Sequence, residues 1–296
     1  MFKKNFKYVA IVISVSLLSY GILGLLIYKE SLITALLEIR LNLITGLLII
    51  LLSYFIKFIR WRFILSYLGF KLKFTDDIAI WFSSFALTAT PGKVGESVRA
   101  YILFEKYKIS KSKTISALIY ERITDLFSVL LILLFNVTLI FNSSFFYFKQ
   151  NLFVFIFCLV SILFILRFTA KKFIKKNKIY NFVNTKISRI KDTIKSLKSL
   201  RLLFCSTLLG TLAWLLECFS FWLILNGMNI SSINLGKAAI AHLGAGIIGI
   251  VSMMPGGLGT TEISSISILN SYGVELSLAT ISSIMIRLMT LWFATF

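Results

Sequence analysis

Apolar residues gather in long continuous runs at 8–28, 41–63, 115–141, 151–170, 202–225 and 276–296. Each reaches the roughly 20 residues that a helix needs to cross a hydrocarbon core. The runs do not alternate with polar positions, so they predict helices rather than strands, and a helix satisfies its own backbone in lipid. Two further apolar stretches, 78–90 and 237–254, behave differently. They end at Pro91 and Pro255, the only prolines in the chain, and each proline opens a glycine-bearing break: Pro91-Gly92-Lys93-Val94-Gly95 and Pro255-Gly256-Gly257-Leu258-Gly259. Proline and glycine end helices, and a second short apolar segment follows each break. The pattern predicts two re-entrant or broken helical hairpins. Irregular backbone at membrane depth is tolerated only where protein or water covers it, so both breaks are expected to face an interior cavity.

Composition removes the soluble alternative. With 58% apolar and 15% charged residues and a mean hydropathy of +0.89, there is too little polar surface to cover a soluble globule. The run at 8–28 is longer than a signal-peptide core and shows no small-residue cleavage site, so it is read as a span. The net charge of +20 suggests nucleic acid until its placement is considered. Residues 171–201 hold eleven Lys/Arg against one acid, Asp192. Basic loops mark the cytoplasmic side, which places this loop and the basic amino terminus inside, and the cation-poor loops 142–150 and 226–236 outside. Within 171–201, Ile179, Phe182, Val183, Ile187, Ile190, Ile194 and Leu197 recur at helical spacing, as in an amphipathic helix on an anionic bilayer surface. A purely topogenic loop is the alternative. No nucleic-acid partner is expected, and the setting implied is a plasma or inner membrane.

Cys158, Cys205 and Cys218 fall inside apolar runs without ligand spacing and read as core packing. The lone His242 reads as a buried structural residue. The basic end of the second span, Lys57, Arg60, Trp61 and Arg62, reads as an interfacial anchor. Arg60 and Arg62 also suit the collection of an anionic lipid headgroup.

The two breaks belong to longer repeats. Pro91 is followed by Glu96, Arg99, Glu121, Arg122 and Asp125-Leu126, and Pro255 by Thr260, Glu262, Arg287 and Thr290-Leu291. Charges within a membrane helix are costly unless paired or wet, and they mark functional sites. Glu217, inside the run 202–225, is a weaker candidate. Three crossings separate the hairpins, so one enters from the cytoplasm and the other from outside. The fold class is therefore an all-α polytopic membrane protein with an inverted-topology repeat, one domain over 1–296 with repeat cores at 74–141 and 235–296. Inverted repeats with broken helices characterise alternating-access transporters.

Arg60-Trp61-Arg62, the Pro-Gly-Lys-x-Gly-Glu at 91–96 with Arg99, Glu121-Arg122 with Asp125-Leu126, the Pro-Gly-Gly-Leu-Gly-Thr-Thr-Glu at 255–262 and Arg287 resemble the transmembrane region of lysylphosphatidylglycerol synthase, the flippase-like domain family. The resemblance implies movement of a charged phospholipid or a polyprenyl-phosphate-linked lipid between leaflets. No synthase domain accompanies the membrane region here, and the chain stops at Phe296 within an apolar run, which suggests an end shortened relative to the family.

The expected activity is a lipid flippase for an anionic or phosphate-bearing lipid. Arg99, Arg122 and Arg287 are expected to bind phosphate bidentately. The backbone N–H groups freed around Pro91, Gly92, Gly95, Pro255, Gly256, Gly257 and Gly259 add an anion site at helix starts. Glu96, Asp125 and Glu262 would hold the arginines while the site is empty. An intramembrane lipid-modifying enzyme using Glu96, Glu121 or Asp125 as acid or base, and a structural partner subunit, are the alternatives from other classes. No metal cluster or nucleotide loop is present in the sequence and no cofactor is expected; a homo-oligomer stays open.

Overall fold

The structure, a computed structural model, describes residues 39–85, 90, 95–140, 193, 197 and 199–293, with the side chains of 137–140 and 292 excepted. The expected spans 8–28 and 151–170, most of the basic loop 171–201, and Pro91, Gly92 and Cys158 lie outside the described residues. Among the described residues every regular element is helical. In chain order these are α1 (Arg40–Tyr67), α2 (Phe74–Ser83), α3 (Val98–Tyr107), α4 (Lys111–Ile140), α5 (Leu200–Gly227), α6 (Leu235–Val251), a 3-10 turn at Pro255–Gly257, α7 (Thr260–Ser271), α8 (Leu276–Arg287) and a π turn at Leu288–Trp292.

α1 and α5, of 28 residues each, are long and apolar enough to cross a membrane, and they pack along their lengths. Small residues let them meet closely: the Ser220 hydroxyl donates to the Gly46 carbonyl at 3.1 Å, and Asn42 Nδ2 donates to Leu223 O at 3.0 Å. One face of α1 buries Ile50, Phe58, Trp61, Ile64 and Leu65, and α5 buries Phe221, Ile224 and Leu225, within one hydrophobic core. The opposite face of α1 exposes Leu41, Ile44, Leu48, Leu52, Phe55 and Ile59 at steps of three and four, and α5 exposes Phe204, Leu208, Leu212, Leu215 and Phe219. Such unbroken apolar stripes are costly in water and favourable against lipid.

α1 runs four residues past the expected end at Phe63. The Arg60-Trp61-Arg62 cluster therefore lies within the helix rather than at its mouth, and Arg60 and Trp61 are fully buried. This corrects the reading of Arg60 and Trp61 as interfacial anchors, and removes Arg60 from the surface where a headgroup is collected. Trp61 Nε1 instead donates to Asp77 at 3.2 Å. Arg62 stays partly exposed, 3.3 Å from the same carboxylate.

α2 and α3 form the first hairpin. Asp76 at the start of α2 meets Lys106 at the end of α3 at 2.7 Å and accepts a short hydrogen bond from Tyr107. The two helices therefore run antiparallel, with Ser84 at the end of α2 near Arg99 at the start of α3. These contacts lie outside the spanning helices. The Lys106 and Tyr107 hydrogen bonds hold the Asp76 carboxyl below its ordinary range, and the same bond pushes the Tyr107 hydroxyl up to about 12. The tie is complete above the ordinary carboxylate value and is lost as pH falls through the lowered one.

α6 and α7 form the second hairpin around Pro255. The glycines there answer a geometric demand: Gly256, Gly257 and Gly259 have φ of 61°, 67° and 78°, the left-handed region that side chains disfavour. The hairpin closes tightly, since a Cβ at Gly249 would lie 2.0 Å from Thr261 Oγ1 and 3.5 Å from Gly257 Cα. Gly249→Ala is expected to cost about 1–3 kcal/mol by overpacking. Adding Thr261→Ala should recover a good part of the melting temperature; no loss in the single variant would mean that the hairpin does not close at this point.

Candidate functional site

The acidic and basic side chains of the membrane helices converge into two clusters. The larger one is built from faces set by helical spacing. On α1, Ser53, Lys57 and Arg60 lie one or two turns apart on one side. On α4, Glu121, Asp125 and Ser128 do the same, and on α5 Gly210, Trp214 and Glu217 do so. Arg60 reaches Asp125 at 2.7 Å and Glu121 at 3.3 Å. Gly210 makes the room, because a Cβ there would lie 2.6 Å from Arg60 Nη1 and 2.5 Å from Ser128 Oγ.

Arg99, in the first turn of α3, is 3.2 Å from Glu121 and 3.4 Å from Glu96. Its Nε donates to Ser84 Oγ at 2.8 Å. The guanidinium lies 4.8 Å from the Trp61 ring centre and 5.6 Å from that of Trp81, a cation–π enclosure that suits a permanently charged group. Arg122 touches Glu96, Glu121 and Asp125, each at 3.3 Å. These three arginines are not alike. The side chains of Arg60 and Arg99 are 0% and 1% exposed, whereas that of Arg122 is 39% exposed. Arg122 is the open end of a closed network, and its contacts are longer than the 2.7 Å that fixes Arg60.

The network continues through Trp214 and Ser53 to Lys57, Glu217 and His242. Trp214 Nε1 donates to Asp125 at 3.1 Å, and the Lys57 ammonium sits 4.0 Å over the Trp214 ring centre. Lys57 pairs with Glu217 at 2.6 Å. Ser53 donates to the same carboxylate oxygen at 3.1 Å, and His242 Nε2 approaches the other one at 3.6 Å. Lys57 is therefore an interior ion-pair partner rather than an interfacial anchor, and Glu217 is fully engaged. The common face of Ser53, Lys57 and Arg60 was the available signal.

The second cluster sits at the Pro255 break. Arg287 Nε donates to Glu262 Oε1 at 2.6 Å, and its Nη2 donates to the Gly256 carbonyl at 2.5 Å. Thr260 Oγ1 donates to Gly257 O at 3.1 Å and lies 2.9 Å from Ser252 Oγ. Glu262 Oε2 is buried without a hydrogen-bond partner. The π turn after Arg287 brings the Thr290 carbonyl to the Tyr54 hydroxyl. In both halves the later arginine meets the carboxylate that follows its own break: Arg122 meets Glu96 and Arg287 meets Glu262. Around the first break, Gly95 N donates to Thr90 Oγ1 at 2.7 Å. Cys218 is buried and Cys205 partly so, both as free thiols. No group of three or more His, Cys, Asp or Glu able to hold a metal occurs among the described residues.

Long lipid-suited helices around buried, paired charges define a helical membrane protein with a polar interior. The chain belongs to the Lysylphosphatidylglycerol synthase TM region family, which matches residues 9–296. It is 24% identical over 254 residues to the UPF0104 membrane protein MJ1595 of Methanocaldococcus jannaschii, covering 78% of this chain and 75% of that protein. It is 30% identical over 88 residues to a UPF0104 membrane protein of Methanothermobacter thermautotrophicus, covering 30% of this chain and 26% of that one. The matched segment thus spans about a quarter of the Methanothermobacter relative.

Proposed function

We propose that this protein is a lipid translocase that moves an anionic or phosphate-bearing lipid between leaflets without changing it chemically. The observation that carries this reading is Arg122. A guanidinium that stays charged at any working pH stands open at the edge of a buried network, balanced by three carboxylates at 3.3 Å. A phosphate oxygen pair can replace those carboxylates with a bidentate contact of the same charge. Arg287 and the Pro255 break supply the counterpart in the second half.

The two hairpins act as inverted, re-entrant repeats in a plasma or inner membrane, with the amino terminus and the 171–201 loop on the cytoplasmic side and that loop resting on anionic lipid. The repeated pairing of arginine with the carboxylate after each break supports a duplicated mechanism, and the cation-rich loops support the orientation. Arg62, partly exposed beside Asp77, takes the role of collecting headgroups in this reading. The translocase works with no cofactor.

The direct test is reconstitution into liposomes carrying fluorescent phosphatidylglycerol. Scrambling with unchanged lipid by mass spectrometry is the expected result; chemical conversion of the lipid would establish an enzyme instead. Pro255→Ala in the same assay is expected to straighten the break and stop scrambling while the protein still folds, because proline ends the helix and removes a donor there. Unaltered scrambling by this variant would make the break incidental.

A further inference from the structure

The sequence holds a single histidine, and the structure places it against a buried ion pair that the lipid site does not use. His242 lies midway along α6, the helix that ends at the Pro255 break. Its Nε2 is 3.6 Å from Glu217 Oε2, just beyond a hydrogen bond. Glu217 Oε1 is already taken by Lys57 at 2.6 Å and Ser53 at 3.1 Å. The ring of Phe221 flanks the imidazole at 5.7 Å. On the elements around α6, the titratable groups nearest the buried clusters are Glu217 and Cys218 on α5, Glu121, Arg122 and Asp125 on α4 and Glu262 on α7, with Lys57 and Tyr54 joined to the cluster from α1.

Charge balance gives this placement its meaning. With His242 neutral, Lys57, Arg60, Arg99 and Arg122 face Glu96, Glu121, Asp125 and Glu217, cation for carboxylate. Protonation of the imidazole adds one uncompensated positive charge to a buried network, where charges are weakly screened. Imidazolium also bids for Glu217 against Lys57. A loosened Lys57 remains over Trp214, which holds Asp125, and Asp125 is one of the three carboxylates on Arg122. A Lys57 ammonium released from Glu217 competes for Asp125, which leaves Arg122 with Glu96 and Glu121 and opens one of its three contacts to phosphate.

We propose that His242 with Glu217 is a proton-binding site coupled to the anion site at Arg122, so that a proton and an anionic headgroup bind together. The coupling rests on the reading of Arg122 as the anion site. A phosphodiester monoanion restores neutrality to the protonated network. By reciprocity, the proton must tighten the anion and the anion must tighten the proton by the same factor.

The test titrates the purified full-length protein with dioctanoyl-phosphatidylglycerol by calorimetry at about pH 5.5 and about pH 8, either side of the ordinary imidazole value near 6.5. Coupling of the usual size predicts roughly tenfold tighter binding at the lower pH. Repeating the titration near pH 6.5 in two buffers of different ionisation enthalpy should show proton uptake on binding. In H242Q the affinity should stay at the weak alkaline value across the range with no uptake. In the native protein labelled with 15N-histidine, the single imidazole signal should titrate at higher pH when the lipid is bound. Binding that is independent of pH, or an imidazole titration unmoved by lipid, overturns the coupling and leaves the anion site standing. A pH dependence that survives in H242Q overturns the assignment to His242. Absence of lipid binding at every pH removes the anion site and the coupling together.

Discussion

Arg60→Met is expected to be the most destabilising single change among the charged residues, by about 3–5 kcal/mol. Arg60 is fully buried and answers two carboxylates, Asp125 at 2.7 Å and Glu121 at 3.3 Å. Removing it leaves Asp125 with only the open Arg122 and the Trp214 N–H, and Glu121 with Arg99 and Arg122. The cost comes mainly from an uncompensated charge in a dry interior rather than from the attraction lost. Adding Asp125→Asn to Arg60→Met should therefore recover a large part of the melting temperature, although the second change also deletes a contact. An interfacial anchor behaves differently: a snorkelling arginine replaced by methionine shifts stability little, and its loss would appear in membrane insertion. A melting temperature equal to the native value in Arg60→Met would return Arg60 to the surface.

The contrast between Arg60 as read from sequence and as found in the structure shows where the chain is legible. Apolar runs gave α1, α4 and α5 to within a few residues because length and hydropathy suffice in lipid. The break at Pro255 was legible because three positive-φ positions there demand glycine. The acid three or four residues from an arginine, as in Arg122 with Asp125, was legible from helical spacing alone. Pairing between distant helices was not. Lys57 and Glu217 lie 160 positions apart, and although Ser53, Lys57 and Arg60 share one helix face, nothing local says what that face meets. α1 continues to Tyr67, and that extra turn carries Arg60 inward. The room for its head comes from Gly210 on α5, whose meaning depends on a partner helix that local sequence does not identify. The approach of His242 to Glu217 was not legible either, because one histidine in a small-residue helix carries no spacing that points to a partner on another helix. The π turn after Arg287, which carries the Thr290 carbonyl to the Tyr54 hydroxyl, likewise meets a partner distant in sequence.

Arg122→Lys and Arg287→Lys should both impair scrambling, for different reasons that a melting curve separates. An ammonium keeps the charge but offers no planar pair of donors. Loss of one charge-assisted contact is worth about 1.5–3 kcal/mol, or roughly ten- to a hundredfold in rate where that contact is made in the transition state. At Arg122 the whole effect should fall on transport. Its side chain is 39% exposed and each of its contacts is 3.3 Å long, so lysine can remain near the same carboxylates and the melting temperature should hardly move. Arg287 is only 14% exposed and ties Glu262 at 2.6 Å and the Gly256 carbonyl at 2.5 Å. Lysine there cannot reach both, and the Pro255 break loses its clamp, so scrambling and melting temperature should fall together. Arg122→Gln with Asp125→Asn is the control for a purely structural role, since it removes the open cation with one of its carboxylates. A substrate-binding arginine predicts that this pair stays folded and inactive. Native scrambling by the pair and by both lysine variants would take Arg122 and Arg287 out of the lipid path.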